Sequence, residues 1–199
     1  MDYDVAHRSV DTSLSYRRLK RNALSIINAS PTISLLEPDK VVTGLAAGIG
    51  LDTSQLVILR VIVGFSPVTL VIAPTTVWTS PADHLKLLEL KNTAAFIGCR
   101  TVLVPEGIIQ RQPRLDNSRL IENSGAHVTA DQRIELMAHL IEHGPTALVD
   151  LAKSIQHDTP VAAILNLAAS GVLIVESGRI IGPYTVVHLP DAATPRLAG

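Results

Sequence analysis

Residues 55–78, QLVILRVIVGFSPVTLVIAPTTVW, decide the fold of the first half of the chain. Residues 55–65 and 68–78 are rich in β-branched side chains, and Ser66 and Pro67 separate them. β-Branched side chains favour strands, and a short break that contains proline favours a turn. The stretch therefore predicts two paired strands joined by a tight connection.

The patterns on both sides of these strands complete an α/β domain. Apolar residues at helical spacing predict helices over residues 11–27 and 83–97, and a shorter Gly-containing helix is predicted within residues 35–51. Residues 100–105, RTVLVP, read as a third strand. The order helix, strand, strand, helix, strand is typical of an α/β or α+β domain. We place this domain at residues 1–123, before the short polar linker that starts the next segment.

The second half of the chain has a different pattern. Helical spacing predicts three short helices, and the residues that follow predict a β-hairpin with its turn at residues 176–178. The predicted helices are 129–143, 146–155 and 160–169, and the predicted strands are 172–175 and 179–189. Three helices followed by a hairpin is winged-helix order, which predicts a winged-helix domain at residues 124–190. Residues 191–199 have no period, and we expect a flexible tail.

The composition excludes several classes of function. The 199 residues are 47% hydrophobic, 18% charged and only 3% aromatic, so a real core is expected but platforms of stacked aromatic side chains for single-stranded nucleic acid are not. The formal net charge of −1 gives no overall attraction to DNA or to an anionic membrane. The sequence has no apolar stretch of membrane-spanning length, and Cys99 is the single cysteine. We therefore expect a cytoplasmic protein that does not contact a membrane.

Residues 85–121 carry a set of ordered features. A helical pattern and Gly98 precede the third strand, and the features after it are Val104-Pro105-Glu106, Ile108-Ile109, Arg111 and residues 117–120. In this order the segment resembles the closing part of the nuclease domain of TnsA-type transposon endonuclease subunits. The resemblance implies a restriction-endonuclease-like N-terminal domain followed by a C-terminal winged helix, and a role in transposition or related DNA processing.

The catalytic residues implied by that fold do not fall where the chemistry needs them. Such nucleases hold Mg²⁺ with an acid on a first helix, an Asp on the next strand and a Glu-x-Lys on the strand after it. Glu37 could serve as the first acid, but the first predicted strand has Arg60 and no Asp, and the second has neither acid nor lysine. Glu89 and Lys91 fall in a predicted helix, and whether they converge with Glu37 and Asp52 is left open. We predict no catalytic residues and no cofactor, with Mg²⁺ only if the chain is an active nuclease.

Basic residues that could contact phosphate form two groups. The first group lies on the first predicted helix, and the second follows the third predicted strand. They are Arg17, Arg18, Lys20 and Arg21, and then Arg111, Arg114 and Arg119. A solvated helix face is the alternative interpretation of the first group.

The charges of the predicted winged helix argue against duplex DNA as its ligand. From residue 124 onward there are four basic and seven acidic residues, and the helix at 160–169 has no cation. A phosphate backbone would repel such a surface. We therefore predict that this domain binds a protein partner through four apolar residues, Val161, Ile164, Leu165 and Ala168. DNA binding and formation of a homodimer stay open.

Two histidines stand at the spacing of a helical metal pair. His139 and His143 are four residues apart, with Glu142 beside them. Histidines at the C-terminal end of a helix are also favoured by the helix dipole, and the sequence favours this simpler explanation. No metal site is predicted.

These observations lead to one leading hypothesis and two alternatives. The leading hypothesis is an accessory or assembly protein in DNA mobilisation or processing, with a catalytically silent nuclease-like domain and a winged helix. The first alternative is a winged-helix transcription regulator. The second is an active Mg²⁺-dependent DNA endonuclease.

Overall fold

The computed structural model describes the backbone of residues 3–190 and the side chains of residues 14–190. The chain divides into two compact units. The first unit contains the residues up to 24 together with residues 33–111, and the second contains residues 25–32 together with the residues from 112 onward. Among the described residues, no helix has both the length and the apolar character that a membrane crossing requires. The predicted tail, residues 191–199, lies outside the described residues.

The first unit is built around one sheet. It contains β1 (Ile33–Leu35), α2 (Lys40–Gly48), β2 (Val57–Val63), β3 (Ser66–Ala73), α3 (Thr75–Thr79), α4 (Pro81–Phe96), β4 (Thr101–Pro105) and α5 (Glu106–Ile109). Helix α1 (Tyr3–Asn28) precedes these elements, and its residues up to 24 belong to this unit.

The four strands lie in the order β1-β2-β3-β4. β1, β2 and β3 pair antiparallel, whereas β4 pairs parallel to β3 and is reached through α3 and α4. The connection between β2 and β3 is tight, and Gly64 supplies the positive φ of 64° that it requires. This mixed sheet confirms the α/β class and the predicted pairing of the two central strands.

One face of the sheet forms a core with helices α2 and α4. Ile58 and Val71, which are cross-strand neighbours, pack in the same cluster as Val42 of α2 and as Leu87 and Leu90 of α4. The helices supply these residues at intervals of three and four, as an amphipathic helix on a sheet does. The fold of this unit therefore follows from the alternation in the strands and the helical period between them.

Some elements of the first unit differ from the prediction. The second strand ends at Ala73 instead of continuing to 78, because Pro74 leaves the sheet and becomes the N-cap residue of α3. Helix α2, in contrast, lies within the predicted range 35–51, and the side chain of Asp39 caps its start. The short elements β1 and α5 carry too few residues for a periodic signal, and the sequence did not predict them.

The second unit combines helices with a small sheet. After the end of α1 it contains α6 (Arg114–Glu122), α7 (Ala130–His143), β5 (Thr146–Ala147), α8 (Leu148–Lys153), α9 (Pro160–Ala169), β6 (Ile174–Val175) and β7 (Val186–His188). The strands lie in the order β5-β7-β6, and both pairings are antiparallel. Helices α7, α8 and α9 and the hairpin share one apolar cluster, which includes Leu136, Leu151, Ile164 and Val187.

The start of the second unit differs from the predicted boundary after residue 123. Helix α6 packs against α9, and Ile121 lies against the core of the second unit. Residues 25–32 also belong to it, and Asn28 donates a hydrogen bond of 2.9 Å to Glu122. The polar residues around 123 end a helix of the second unit, so they do not separate two domains.

The hairpin is also wider than predicted. β6 ends at Val175 and β7 begins at Val186, so residues 176–185 form the connecting loop. The buried side chain of Asn117 donates hydrogen bonds to the carbonyl oxygens of Ser177 and Arg179 and accepts one from the amide of Ile181. These bonds occupy backbone groups that a tight hairpin would pair across the strands.

Candidate nucleic-acid interface

The first group of predicted basic residues lies together on α1. Arg17, Arg18, Lys20 and Arg21 are all exposed, and within the part of the chain that the structure describes none of them has an ion-pair partner. Successive helix residues are about 100° apart, so the four cations occupy an arc of about 160°. Leu19 and Ala23, which lie outside that arc, are buried. The sequence pattern thus produces one continuous basic face, which we call the α1 basic face.

The second group is divided between the two units. Arg111 follows α5 in the first unit and is exposed, whereas Arg114 and Arg119 lie on α6 in the second unit. Arg119 is half-buried, and its Nη1 lies 3.7 Å from Oδ1 of Asp116. One of these three cations is thus already used in an ion pair within its own helix.

The candidate nuclease residues stand on separate elements. Glu37 is exposed in the loop before α2, and Glu89 and Lys91 are exposed on α4. Two residues apart on a helix means about 200° of rotation, so Glu89 and Lys91 project from different sides of α4. Among the described residues no group of three His, Cys, Asp or Glu side chains is arranged to hold a metal ion.

Asp52, the fourth of these residues, organises a turn. Its carboxylate accepts hydrogen bonds from the amide and the hydroxyl of Ser54, at 3.0 and 2.6 Å, and from the side chain of Gln55 at 2.7 Å. The side-chain hydrogen bonds from Ser54 and Gln55 hold the pKa of Asp52 below its usual range. These contacts explain Asp52 as a local structural residue.

A buried carboxylate lies beside the two central strands instead. Oδ1 of Asp39 accepts hydrogen bonds from the amides of Val41 and Val42, both at 3.1 Å, and Oδ2 accepts one of 2.6 Å from the hydroxyl of Thr69 on β3. Thr69 is the cross-strand partner of Arg60 on β2. The sequence signal for Asp39 is its position just before a helix, which marks an N-cap but gives no hint of the contact with β3.

The pKa of Asp39 reflects opposing effects. Burial of Asp39 disfavours the charged carboxylate and would raise its pKa, but the hydrogen bond from Thr69, the amide of Val42, the positive charge of Arg60 and the amide of Val41 together outweigh burial. The pKa is therefore lowered, and the carboxylate stays charged. Both oxygens already have partners inside the protein, so Asp39 joins α2 to the sheet.

The predicted docking residues of α9 are corrected by the structure. Ile164, Leu165 and Ala168 are buried in the core of the second unit, and of the four residues only Val161 is substantially exposed, at 41%. Helix α9 contacts both α6 and α8, so these two helices bury its apolar side chains within the unit. The sequence could not reveal this, because α6 was assigned to the other domain.

The loop between β6 and β7 exposes apolar side chains that the sequence analysis did not single out. Ile180 is 76% exposed and Tyr184 is 85% exposed, and Arg179 beside them is also exposed. These residues border an open groove of about 780 Å³. The sequence pattern gave no signal for them, because it predicted a tight turn at residues 176–178 and placed Arg179, Ile180 and Tyr184 in a strand.

Of the predicted sites, the α1 basic face therefore brings the largest number of exposed side chains of the same charge together. It offers four cations on one helix, and a surface of this kind can neutralise successive phosphates. Comparisons with protein-family models, with curated proteins and with solved structures find no match to this chain.

Proposed function

We propose that this chain is a cytoplasmic, non-catalytic accessory protein in DNA mobilisation or processing, and that it binds DNA phosphates through the α1 basic face. The observation that carries the proposal is the exposure of Arg17, Arg18, Lys20 and Arg21 on one side of a single helix. Phosphate contacts by Lys and Arg supply most of the affinity in non-specific DNA binding. No base-reading residues are required for such a role.

The architecture of each unit supports this assignment. The four-stranded mixed sheet of the first unit is compatible with a restriction-endonuclease-like domain. After α6, the second unit runs in the order helix, strand, helix, helix, hairpin, which is compatible with a winged helix. On the central strands the neighbouring positions Arg60 and Thr69 carry no acid that could hold Mg²⁺. We therefore infer a nuclease-like domain that serves binding.

The second unit is proposed to bind a protein partner with a basic surface. The chain from residue 112 onward has six basic and nine acidic residues, so charge complementarity favours a cationic partner and disfavours DNA. Exposed apolar residues of this unit include Ile134, Ile141, Val161, Ile180 and Tyr184. We propose the loop residues Ile180 and Tyr184 as the contact in place of the buried residues of α9.

The salt dependence of DNA binding tests the proposal. Replacement of Arg17, Arg18, Lys20 and Arg21 by Ala removes up to four phosphate contacts, so the slope of log Kobs against log salt should become shallower by up to about 3.6 on a duplex of random sequence. Fluorescence anisotropy over a range of salt concentrations measures this slope.

A matched variant separates a local contact from the general loss of charge. Lys40, Lys91, Arg100 and Arg133 are also exposed. Their replacement by Ala removes an equal number of positive charges, four, from outside the α1 basic face. This control should keep nearly the full slope. Equal flattening by both variants would contradict the proposal. If Arg179→Ala flattens the slope while the α1 variant does not, the loop of the second unit is the DNA contact and the transcription-regulator alternative is favoured.

A further inference from the structure

His139 and His143 face one another at the C-terminal end of α7. Their ring centroids are 4.5 Å apart and the ring planes are inclined by 35°. The side chain of His143 is 53% exposed, and His139 is half-buried. The four-residue spacing thus places two imidazole rings next to each other at a surface that water and ions can reach.

The separation of the rings suits a shared metal ion. Imidazole nitrogens bind first-row divalent ions at about 2.0–2.1 Å, so two nitrogens on one ion lie about 3 Å apart. Rings whose centroids are 4.5 Å apart reach this separation by rotation of the side chains, with no movement of the helix. The pair can therefore chelate one ion.

Two acidic side chains lie near the histidine pair. Oε2 of Glu142 lies 3.9 Å from Nδ1 of His143, and negative charge close to the rings attracts a divalent cation. Glu135, one turn before His139, is also exposed and adds negative charge to the same side of the helix.

The helix holds this arrangement without a metal. Thr129 and Gln132 form a capping box at the start of α7, and Leu136 and Leu140 anchor the helix in the core of the second unit. Ligands on a preformed helix lose little conformational freedom when an ion binds. Binding to the folded state alone would then add to the stability of the unit.

We propose that His139 and His143 form a two-nitrogen binding site for a divalent first-row transition-metal ion, with water in the remaining coordination positions. Imidazole ligands suit Cu²⁺, Ni²⁺ and Zn²⁺, and Cu²⁺ binds most tightly in this series. The described residues provide no third His, Cys, Asp or Glu ligand, so the coordination sphere is open and the ion is exchangeable.

Titration of the full chain with Cu²⁺ tests this site. Electron paramagnetic resonance of the complex at equimolar metal should show coupling to two nitrogens, and calorimetry gives the dissociation constant. His139→Ala and His143→Ala should each weaken binding by at least about tenfold, because loss of even an outer-shell partner has an effect of this size. The double variant, which keeps neither imidazole, should bind Cu²⁺ more weakly than either single variant.

The control is His127→Ala, which removes another exposed histidine of the same unit. It should retain the affinity and the two-nitrogen spectrum of the wild type. His139→Gln and His143→Gln repeat the test with side chains of similar size, and thermal unfolding in EDTA checks that all variants fold. Unchanged Cu²⁺ affinity in the folded His139 and His143 variants, or an equal loss in His127→Ala, would overturn the proposal. The result is independent of DNA binding, which the α1 basic face carries.

Discussion

Asp39 shows how one side chain can join two elements of the first unit. It caps α2 through two backbone amides and accepts a hydrogen bond from Thr69 of β3. Because these contacts and Arg60 favour its charged form, its pKa is lowered on folding. A lowered pKa means that the charged carboxylate stabilises the fold at pH values above its unfolded pKa. That contribution is lost as the pH falls through the lower folded pKa.

Asp39→Asn should therefore reduce both stability and its pH dependence. We expect a loss of about 1–2 kcal/mol at pH 7, since the neutral amide is a weaker acceptor for the helix amides and for Thr69. The difference between wild type and variant should be constant above the usual carboxyl pKa of 3.8 and should shrink as the pH falls below it, because acid protonates Asp39 in the wild type. Urea unfolding at several pH values measures this. Asp158→Asn, at an exposed acid, is the control, and a constant difference at all pH values would contradict the explanation.

At the same scale, the sequence predicted charged residues better than apolar ones. Arg17 and Arg21 were expected at the surface, and the structure places them there, because long cations are almost never buried without a partner. Ile164 and Leu165 were expected to remain partly exposed, yet both are buried. The exposure of an apolar residue depends on which other elements cover its helix, and a local pattern does not contain that information.

The helices and strands that were predicted correctly are those whose ends are marked by local sequence signals. Helix α9 and strand β4 match their predictions closely, because a proline or glycine and a clear period mark their ends. The predicted helix over residues 146–155 is instead β5 followed by α8, since Thr146 and Ala147 pair with β7. Tertiary pairing decided the conformation of these two residues, and helix propensity did not.

Gly171 ends α9 and needs to be glycine for two reasons. Its φ is +76°, a left-handed conformation that side chains disfavour, and an added Cβ would lie 2.8 Å from Cβ of Pro31. Gly98 occupies the same position after α4, with a φ of +78°, but an added Cβ there would have no neighbour within 4 Å. The two glycines thus share their backbone conformation and differ in the space around them.

Gly171→Ala should destabilise the protein by about 3 kcal/mol, from about 1 kcal/mol of backbone strain and about 2 kcal/mol of overpacking. Gly98→Ala should cost only the backbone part, about 1 kcal/mol. Chemical unfolding of both variants beside the wild type measures the difference. Equal losses in the two variants would show that the contact with Pro31 does not contribute.

For the whole molecule, the sequence predicted two parts but not their boundary. Helix α6 lies before the predicted division and packs on α9 after it. Asn117 of α6 also makes three hydrogen bonds to residues 177–181 of the hairpin loop. Contacts between residues some sixty positions apart leave no periodic trace, so the composition change near residue 123 was given too much weight.

A fragment of residues 124–190 should therefore be much less stable than a fragment of residues 112–190. Removal of α6 uncovers one side of α9 and leaves the loop carbonyls without the Asn117 amide, which together should cost about 3 kcal/mol or more. Losses of this size are comparable to the whole stability of a small domain. Circular dichroism and urea titration of both fragments provide the test. Cooperative unfolding at the same urea midpoint would contradict the importance of α6.

The assignment of residues 25–32 to the second unit also has a consequence for the order of folding. This segment is synthesised before residues 33–111, and Glu122, the partner of Asn28, follows 94 positions later. All of residues 33–111 must leave the ribosome before the second unit can be completed, and the closure of so long a loop slows folding more than it lowers stability. The first unit can fold within that loop while it is being made. Residues 25–32, at the end of α1, therefore have no packing partners of the second unit until the hairpin that completes this unit has been synthesised.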